Sequence, residues 1–244
     1  MEEIKRVFQY SLDFYLNKVL LVALFSVPFF LAFLVPLLVP APTYLAAGSL
    51  FVRTGSLPEF SIFDLIITGA AYIIAMFLIS DTIVNINILI RSRRTFTETT
   101  QEMMSAIANH AMKIFYILTL VLLLHFIVQL LIYDLPFQSV IYPLFSFIVS
   151  YLLFFVAPAV VIDNCSLYDA IIISAKLSLR KPMLVFSWLL VGALLFIFSK
   201  VIGDILFAGI FSQFLVLLLN AIVFLPFLII LQTQMYMEKY PLAR

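Results

Sequence analysis

The stretch Ile114-Phe-Tyr-Ile-Leu-Thr-Leu-Val-Leu-Leu-Leu-His125-Phe-Ile-Val-Gln129-Leu-Leu-Ile-Tyr133 runs for 20 residues without a charged side chain. A helix of about 20 apolar residues crosses a hydrocarbon core about 30 Å thick. Lipid offers no partner to a backbone N–H or C=O, so a helix is the form in which such a run satisfies its own peptide groups. Five further runs read the same way: Val19–Val39, Ile62–Leu89, Val140–Ile162, Met183–Val201 and Ile205–Met235. None has the strict alternation of a barrel strand. The reading is an all-α integral membrane protein, with six transmembrane helices in one polytopic domain over residues 1–244. Pro28, Pro143, Pro158 and Pro226 lie inside these runs and predict kinks.

Composition agrees. Hydrophobic residues make up 65% of the chain and charged residues 11%, against roughly 25% charged in soluble domains. A net charge of +1 provides no basic field for nucleic acid. The expected partner is the lipid bilayer, with another membrane protein or a second copy as further expected contacts. The first apolar run, 21 residues long, exceeds the apolar core of a secretory signal. It is expected to be a retained helix, although Leu45-Ala46-Ala47-Gly48 resembles a cleavage site.

Orientation follows from the basic residues near the span ends. With the N-terminus inside, all but Arg53 and Lys200 of the 14 Lys and Arg fall on the cytoplasmic side. The expectation is a multi-pass protein of the cell membrane with both termini cytoplasmic.

The inner segments have helical periodicity of their own. Ile4, Val7, Phe8, Ser11, Leu12 and Tyr15 share one helical face. Similar stripes precede the third and fifth spans, with start signals Thr99/Glu102 and Ser166/Asp169. Residues 2–16, 99–112 and 167–179 are therefore expected to be interfacial amphipathic helices. They end at Lys18, Lys113 and Lys181, and a membrane hairpin follows each. Ile4 to Lys18 and Leu167 to Lys181 share a spacing of 14. The pattern predicts three repeats of interfacial helix plus transmembrane hairpin.

The most distinctive segment is Pro158-Ala-Val-Val-Ile-Asp163-Asn-Cys-Ser166-Leu-Tyr-Asp169-Ala170-Ile-Ile-Ile-Ser174-Ala-Lys-Leu177-Ser-Leu-Arg180-Lys181-Pro182. It resembles a pattern in six-helix prokaryotic membrane proteins of uncharacterised function, including the membrane domain joined to glycerophosphodiester phosphodiesterases. In that pattern a span ends in a proline, an aliphatic run and an acid. A Ser-containing interfacial helix follows, then basic residues. The resemblance implies the six-span arrangement and no reaction. The phosphodiesterase catalytic domain has no counterpart in this chain.

The candidate polar site is Asp81, Asn85, His125 and Gln129. An intramembrane carboxylate is costly and faces a protein interior or a wet cavity. Asp81 lies ten residues before Arg91, and His125 twelve after Lys113. Counted from those cations, the two sit at similar depth, with Asn85 and Gln129 one turn further on. A carboxylate and an imidazole there would form a proton relay; the bland alternative is a set of structural hydrogen bonds. Asn220 reads as an interhelix polar contact. Two His and one Cys supply no familiar metal cluster, and no nucleophile elbow, P-loop or Gly-rich phosphate fingerprint is present. No enzyme, metal or cofactor is expected. The loop from Pro40 to Ser61 is expected to be irregular and to skim the membrane. The first functional expectation is a small transporter or permease-like protein. The alternative is a membrane scaffold or accessory subunit binding other membrane proteins or lipids.

Overall fold

Pro182 follows Lys181, and the residue before a proline is pushed out of the helical region. In the computed structural model of the chain, Lys181 has φ −124 and ψ 59 and separates two helices, Leu167–Arg180 and Pro182–Leu206. Local rules of this kind divide the apolar chain into its elements. The structure describes residues 2–35, 44–47, 50–53, 62–95, 101–132, 135, 137–207 and 209–238. The elements are α1 (Glu2–Asn17), α2 (Val19–Leu34), β1 (Tyr44–Ala47), β2 (Leu50–Arg53), α3 (Ile62–Thr95), α4 (Gln101–Leu131), α5 (Gln138–Leu152), α6 (Val156–Ile162), α7 (Leu167–Arg180), α8 (Pro182–Leu206), α9 (Ile210–Leu219) and α10 (Leu225–Met237). A π-helical turn, Asn220–Phe224, joins α9 to α10.

Five helical stretches are each long and apolar enough to cross a membrane: Ile66–Arg91, Ala108–Leu131, Gln138–Ile162, Pro182–Leu206 and Phe211–Met237. The pair α1–α2, bent by 90°, makes up to six. The described part of the first predicted span is the helix Val19–Leu34 with its cap Val35, and the rest of it lies outside the described residues.

The amphipathic stripe of α1 has a structural destination. Val7, Ser11, Phe14 and Tyr15 are buried, while Phe8 and Leu12 stay partly exposed. Tyr15 and Phe8 meet Phe227 of α10 edge-on at 5.8 and 5.9 Å. Arg6 pairs with Glu238 at 3.2 Å. The two ends of the described chain therefore lie on the same side of the bundle. Helix α10 is enclosed: every residue from Pro226 to Met237 except Gln232 is buried. It touches α1, α2, α3, α6 and α8. Its neighbours α2, α3 and α8 carry large exposed apolar residues, Leu20, Ile66 and Phe186 among them. Only 6% of the apolar stretch of α4 is buried within the protein, against 44% for α3.

Two expectations change. Residues 101–112 are the first part of α4, a continuous 31-residue helix, and do not form a separate interfacial helix. The sequence from Ala108 to Lys113 contains neither Pro nor Gly, so nothing interrupts the ladder there. At the other two junctions Lys18 and Lys181 leave helical geometry. Thr99, half of the start signal proposed for this helix, lies outside the described residues. The loop expected to be irregular carries a two-stranded antiparallel hairpin, with Tyr44 opposite Arg53 and Ala47 opposite Leu50. That register leaves Gly48-Ser49 between the strands, a two-residue hairpin signal flanked by strand-forming residues.

Candidate functional site

The predicted fourth span is broken where its sequence leaves a carbonyl without a donor. Pro158 has no N–H and its ring crowds the carbonyl four residues back, which is that of Phe154. The helix stops at Leu152 and restarts at Val156, with Leu153, Phe154 and Phe155 in the turn between. Polar side chains from two other helices serve the exposed backbone. Gln232 of α10 donates its side-chain amide to the Phe154 carbonyl. Ser174 of α7 accepts from the Phe155 N–H at 2.9 Å and donates to the Leu152 carbonyl at 2.7 Å. Tyr151 returns the contact, its hydroxyl donating to the Ser178 carbonyl at 2.7 Å.

Two turns beyond the break, α6 ends at Ile162. The last carbonyls of a helix lack intrahelical donors, and side chains from α3, α4 and the following turn meet the carbonyls at this helix end and just beyond it. Arg91 of α3 donates to Val161 O at 2.9 Å. Lys113 of α4 donates to Cys165 O at 3.2 Å. The Cys165 thiol points back to Ala159 O at 3.4 Å. Tyr236 of α10 donates to Asp163 Oδ2 at 2.6 Å. Asn164 takes the left-handed conformation, φ 50, that Asn tolerates after a helix end. Ser166 then caps α7, accepting from Asp169 N–H at 3.2 Å and donating to its carboxylate at 2.7 Å, as its spacing predicts. Burial first, then the Asp163 carboxylate, push the Cys165 thiol above its ordinary range.

Beside the break lies a cavity of about 340 Å³. Its wall is apolar, built by residues such as Ile117, Val121, Phe154 and Trp188, with Ser150, Tyr151 and Gln232 as polar contributors. The Trp188 indole N–H is committed to Leu228 O at 2.7 Å.

The predicted polar residues divide into two groups. Asp81 is half-buried on α3 and accepts from Asn85 Nδ2 at 3.0 Å; these two are brought together, and neither lines the cavity. His125 is held elsewhere. Its Nδ1 meets Val121 O at 2.8 Å and its Nε2 meets Ser146 Oγ of α5 at 3.2 Å. A carbonyl only accepts, so Nδ1 carries a proton. Phe145 and Tyr142 flank the ring at 5.3 and 6.0 Å. Gln129 lies on the exposed surface of α4. Helices α3 and α4 run antiparallel, with Phe77 against Phe115 and Met76 against Thr119. That register sets Asp81 opposite the Lys113 region and places His125 about 20 Å further along the bundle at 1.5 Å per residue. The expected Asp81–His125 pair does not form. The equal-depth estimate assumed that Arg91 and Lys113 mark one level, but α3 continues well past Lys113, and Arg91 reaches inward to α6.

Other polar ties escaped the sequence reading. Asn87 of α3, fully buried, accepts from Thr233 of α10 at 2.7 Å and donates to Ile83 O. Asn220 donates to Ser199 Oγ at 3.1 Å, an interhelix contact as expected. Among the described residues no three His, Cys, Asp or Glu side chains come together to hold a metal. No family model matches the chain, and no match is found among curated proteins or solved structures.

Proposed function

We propose that the chain crosses the cell membrane six times with both termini in the cytoplasm, and that it serves as a scaffold or accessory protein binding membrane proteins or lipids. The Arg6–Glu238 contact supports an even number of crossings, and the basic residues at the C-terminal ends of α3 and α7, with Lys113 in the first half of α4, support the inward side. Cysteines introduced at Arg93 and Lys176 should resist an impermeant label applied from outside, and those at Arg53, Asp134 and Asp204 should react. Labelling at Arg93 reverses the orientation.

The observation that carries the scaffold reading is the use of the intramembrane polar side chains. Asn87–Thr233, Ser174, Gln232 and Asn220–Ser199 are committed to ties between helices or to the broken backbone. The cavity beside them is lined by apolar groups and excludes Asp81 from its wall. Such a bundle resists rearrangement and presents aromatic and aliphatic surface to its surroundings.

One observation favours the transporter reading. Discontinuous membrane helices that border a cavity are where transporters hold substrates and ions, and α5–α6 is such a helix. Reconstitution into liposomes containing a pH-sensitive dye separates the two. The scaffold reading expects proton flux equal to empty liposomes, unchanged in Asp81→Asn. Flux that requires Asp81 replaces it with the transporter.

A further inference from the structure

The cavity beside the broken helix holds about 340 Å³, at the small end of ligand sites, roughly 300–1,000 Å³. Among the described residues no charged side chain lines it. Phe147 and Leu189 line it and are also exposed on the bundle surface, so its wall continues into the face that meets lipid. Burying a charge against an apolar wall is costly. What enters is therefore neutral and lipid-soluble.

The wall is rich in rings. Phe147 and Tyr151, one turn apart on α5, stack with centroids 6.1 Å apart and planes 28° from parallel. Phe154 and Trp188 meet edge-on at 5.1 Å and line the same cavity. Aromatic groups gain from offset or edge contacts with a further ring, which a saturated chain does not offer. The polar atoms narrow the class further. The Tyr151 hydroxyl and the Trp188 N–H are committed to Ser178 O and Leu228 O. Gln232 gives one amide N–H to Phe154 O, and a primary amide carries a second. Ser150, four residues before Phe154, adds a hydroxyl to the wall that is bonded to no other described residue. A hydrocarbon chain would leave both donors unmet in an apolar setting.

We propose that the cavity holds the ring of a lipid quinone, with its carbonyl oxygens accepting from Gln232 and Ser150 and its tail leaving past Phe147 and Leu189 into the bilayer. Such a ring is neutral and flat and carries acceptors without donors, the complement of this wall. The proposal deepens the scaffold reading by naming the class of lipid, and it rests on that reading, because a stationary bundle keeps the ring as a fixed component.

Trp188 is the one tryptophan of the chain and lines the cavity, so its fluorescence reports occupancy. The purified protein in detergent micelles is titrated with decylubiquinone, which quenches indole emission on contact. A tryptophan octyl ester in the same micelles gives the quenching due to partition alone. The expected result is saturable quenching that ends at one quinone per chain. Ser150→Ala, at an exposed position, should weaken binding about fivefold, the factor equivalent to about 1 kcal/mol for one hydrogen bond. Ala157→Phe places a ring in the cavity and should abolish the saturable part while the melting transition persists. If that variant does not fold, Val121→Phe fills the same wall and gives the same reading. Quenching that only follows the octyl ester overturns the site, and full quenching in the cavity-filling variant overturns its location. Displacement of the quinone by an equal mole fraction of dodecane overturns the ring assignment, and full affinity in Ser150→Ala overturns the carbonyl contact. Proton flux from the liposome assay separates the two proposals: failed quenching without flux defeats the quinone site alone, and Asp81-dependent flux with quenching intact defeats the scaffold alone.

Discussion

Gln232 of α10 donates to the Phe154 carbonyl, the oxygen that Pro158 leaves without its helical partner. Proline and glutamine are 74 residues apart in the chain, yet each accounts for the other. Gln232→Leu removes the donor and leaves a carbonyl unpaired beside an apolar cavity. An unsatisfied buried group costs about 1–3 kcal/mol, so the melting temperature in detergent should fall. Pro158→Ala restores an N–H that can serve Phe154 O within the helix. The double variant should therefore lose less stability than the two single losses added together, a coupling that a double-mutant cycle reads directly. Strict additivity would show that the proline and the glutamine act separately.

Ser174 is the second support of the break, and its hydroxyl both accepts from Phe155 N–H and donates to Leu152 O. Ser174→Ala strands one donor and one acceptor at a fully buried position. A loss of about 1–3 kcal/mol for each stranded group is expected, larger than for Ser187→Ala, whose hydroxyl only reaches back to Leu184 O in its own helix. Comparing the two denaturation midpoints checks the ranking. Equal midpoints would mean that the break does not depend on α7.

What could be read in advance was set by local chemistry, and what could not depended on packing. Apolar runs longer than a bilayer is thick marked the membrane helices, and Ser166 with Asp169 marked the start of α7, because both signals lie within a few consecutive residues. Pro158 announced a kink. That Gln232 would repair it could not be read, since nothing in a span's composition reveals which neighbour it faces. The same blindness joined Asp81 to His125. Depth counted from Arg91 and Lys113 treats long side chains as markers of one level, whereas Arg91 bonds α6 and Lys113 bonds the α6–α7 turn. Helix α10 reads as one more apolar span and is in fact the core, because apolar residues face lipid and protein alike. The hairpin at Tyr44–Arg53 has its signal in Gly48-Ser49, a two-residue turn pair between strand-forming residues.

Gly203 of α8 is required by a close approach. A Cβ there would meet Val216 Cγ2 at 2.6 Å and Ser212 O at 3.2 Å. With Ser199 one turn earlier, also buried, it forms the small-residue spacing that lets membrane helices touch. Gly203→Ala forces α8 from α9, and overpacking of this kind costs about 1–3 kcal/mol. Val216→Ala should recover most of that loss, because the blocking methyl is its own. Gly69→Ala is the control, with nothing within 4 Å of the added atom. Thermal denaturation should rank Gly203→Ala well below Gly69→Ala. Equal midpoints would remove the claim of close approach.

Cys165 gives a prediction in pH. Its thiol, half-buried in the α6–α7 turn and facing Ala159 O, is shifted above its ordinary value of 9.0 by burial and by Asp163. The thiolate is the reactive form, so maleimide labelling of the folded protein at neutral pH should be slower than that of the denatured chain. The sign for stability follows from the same shift. A group whose folded pKa is raised favours the folded state while it keeps its proton, and that contribution is lost as pH rises through the folded value. Wild-type stability should therefore decline above about pH 9 more steeply than that of Cys165→Ser, whose hydroxyl does not titrate there. Asp163→Asn removes the second cause of the shift, so its thiol should label faster than wild type at the same pH, provided the turn still folds. Retention of the Arg91-dependent packing can be checked by its melting transition. Parallel pH curves for wild type and Cys165→Ser would show that the thiol contributes nothing to the pH dependence of folding.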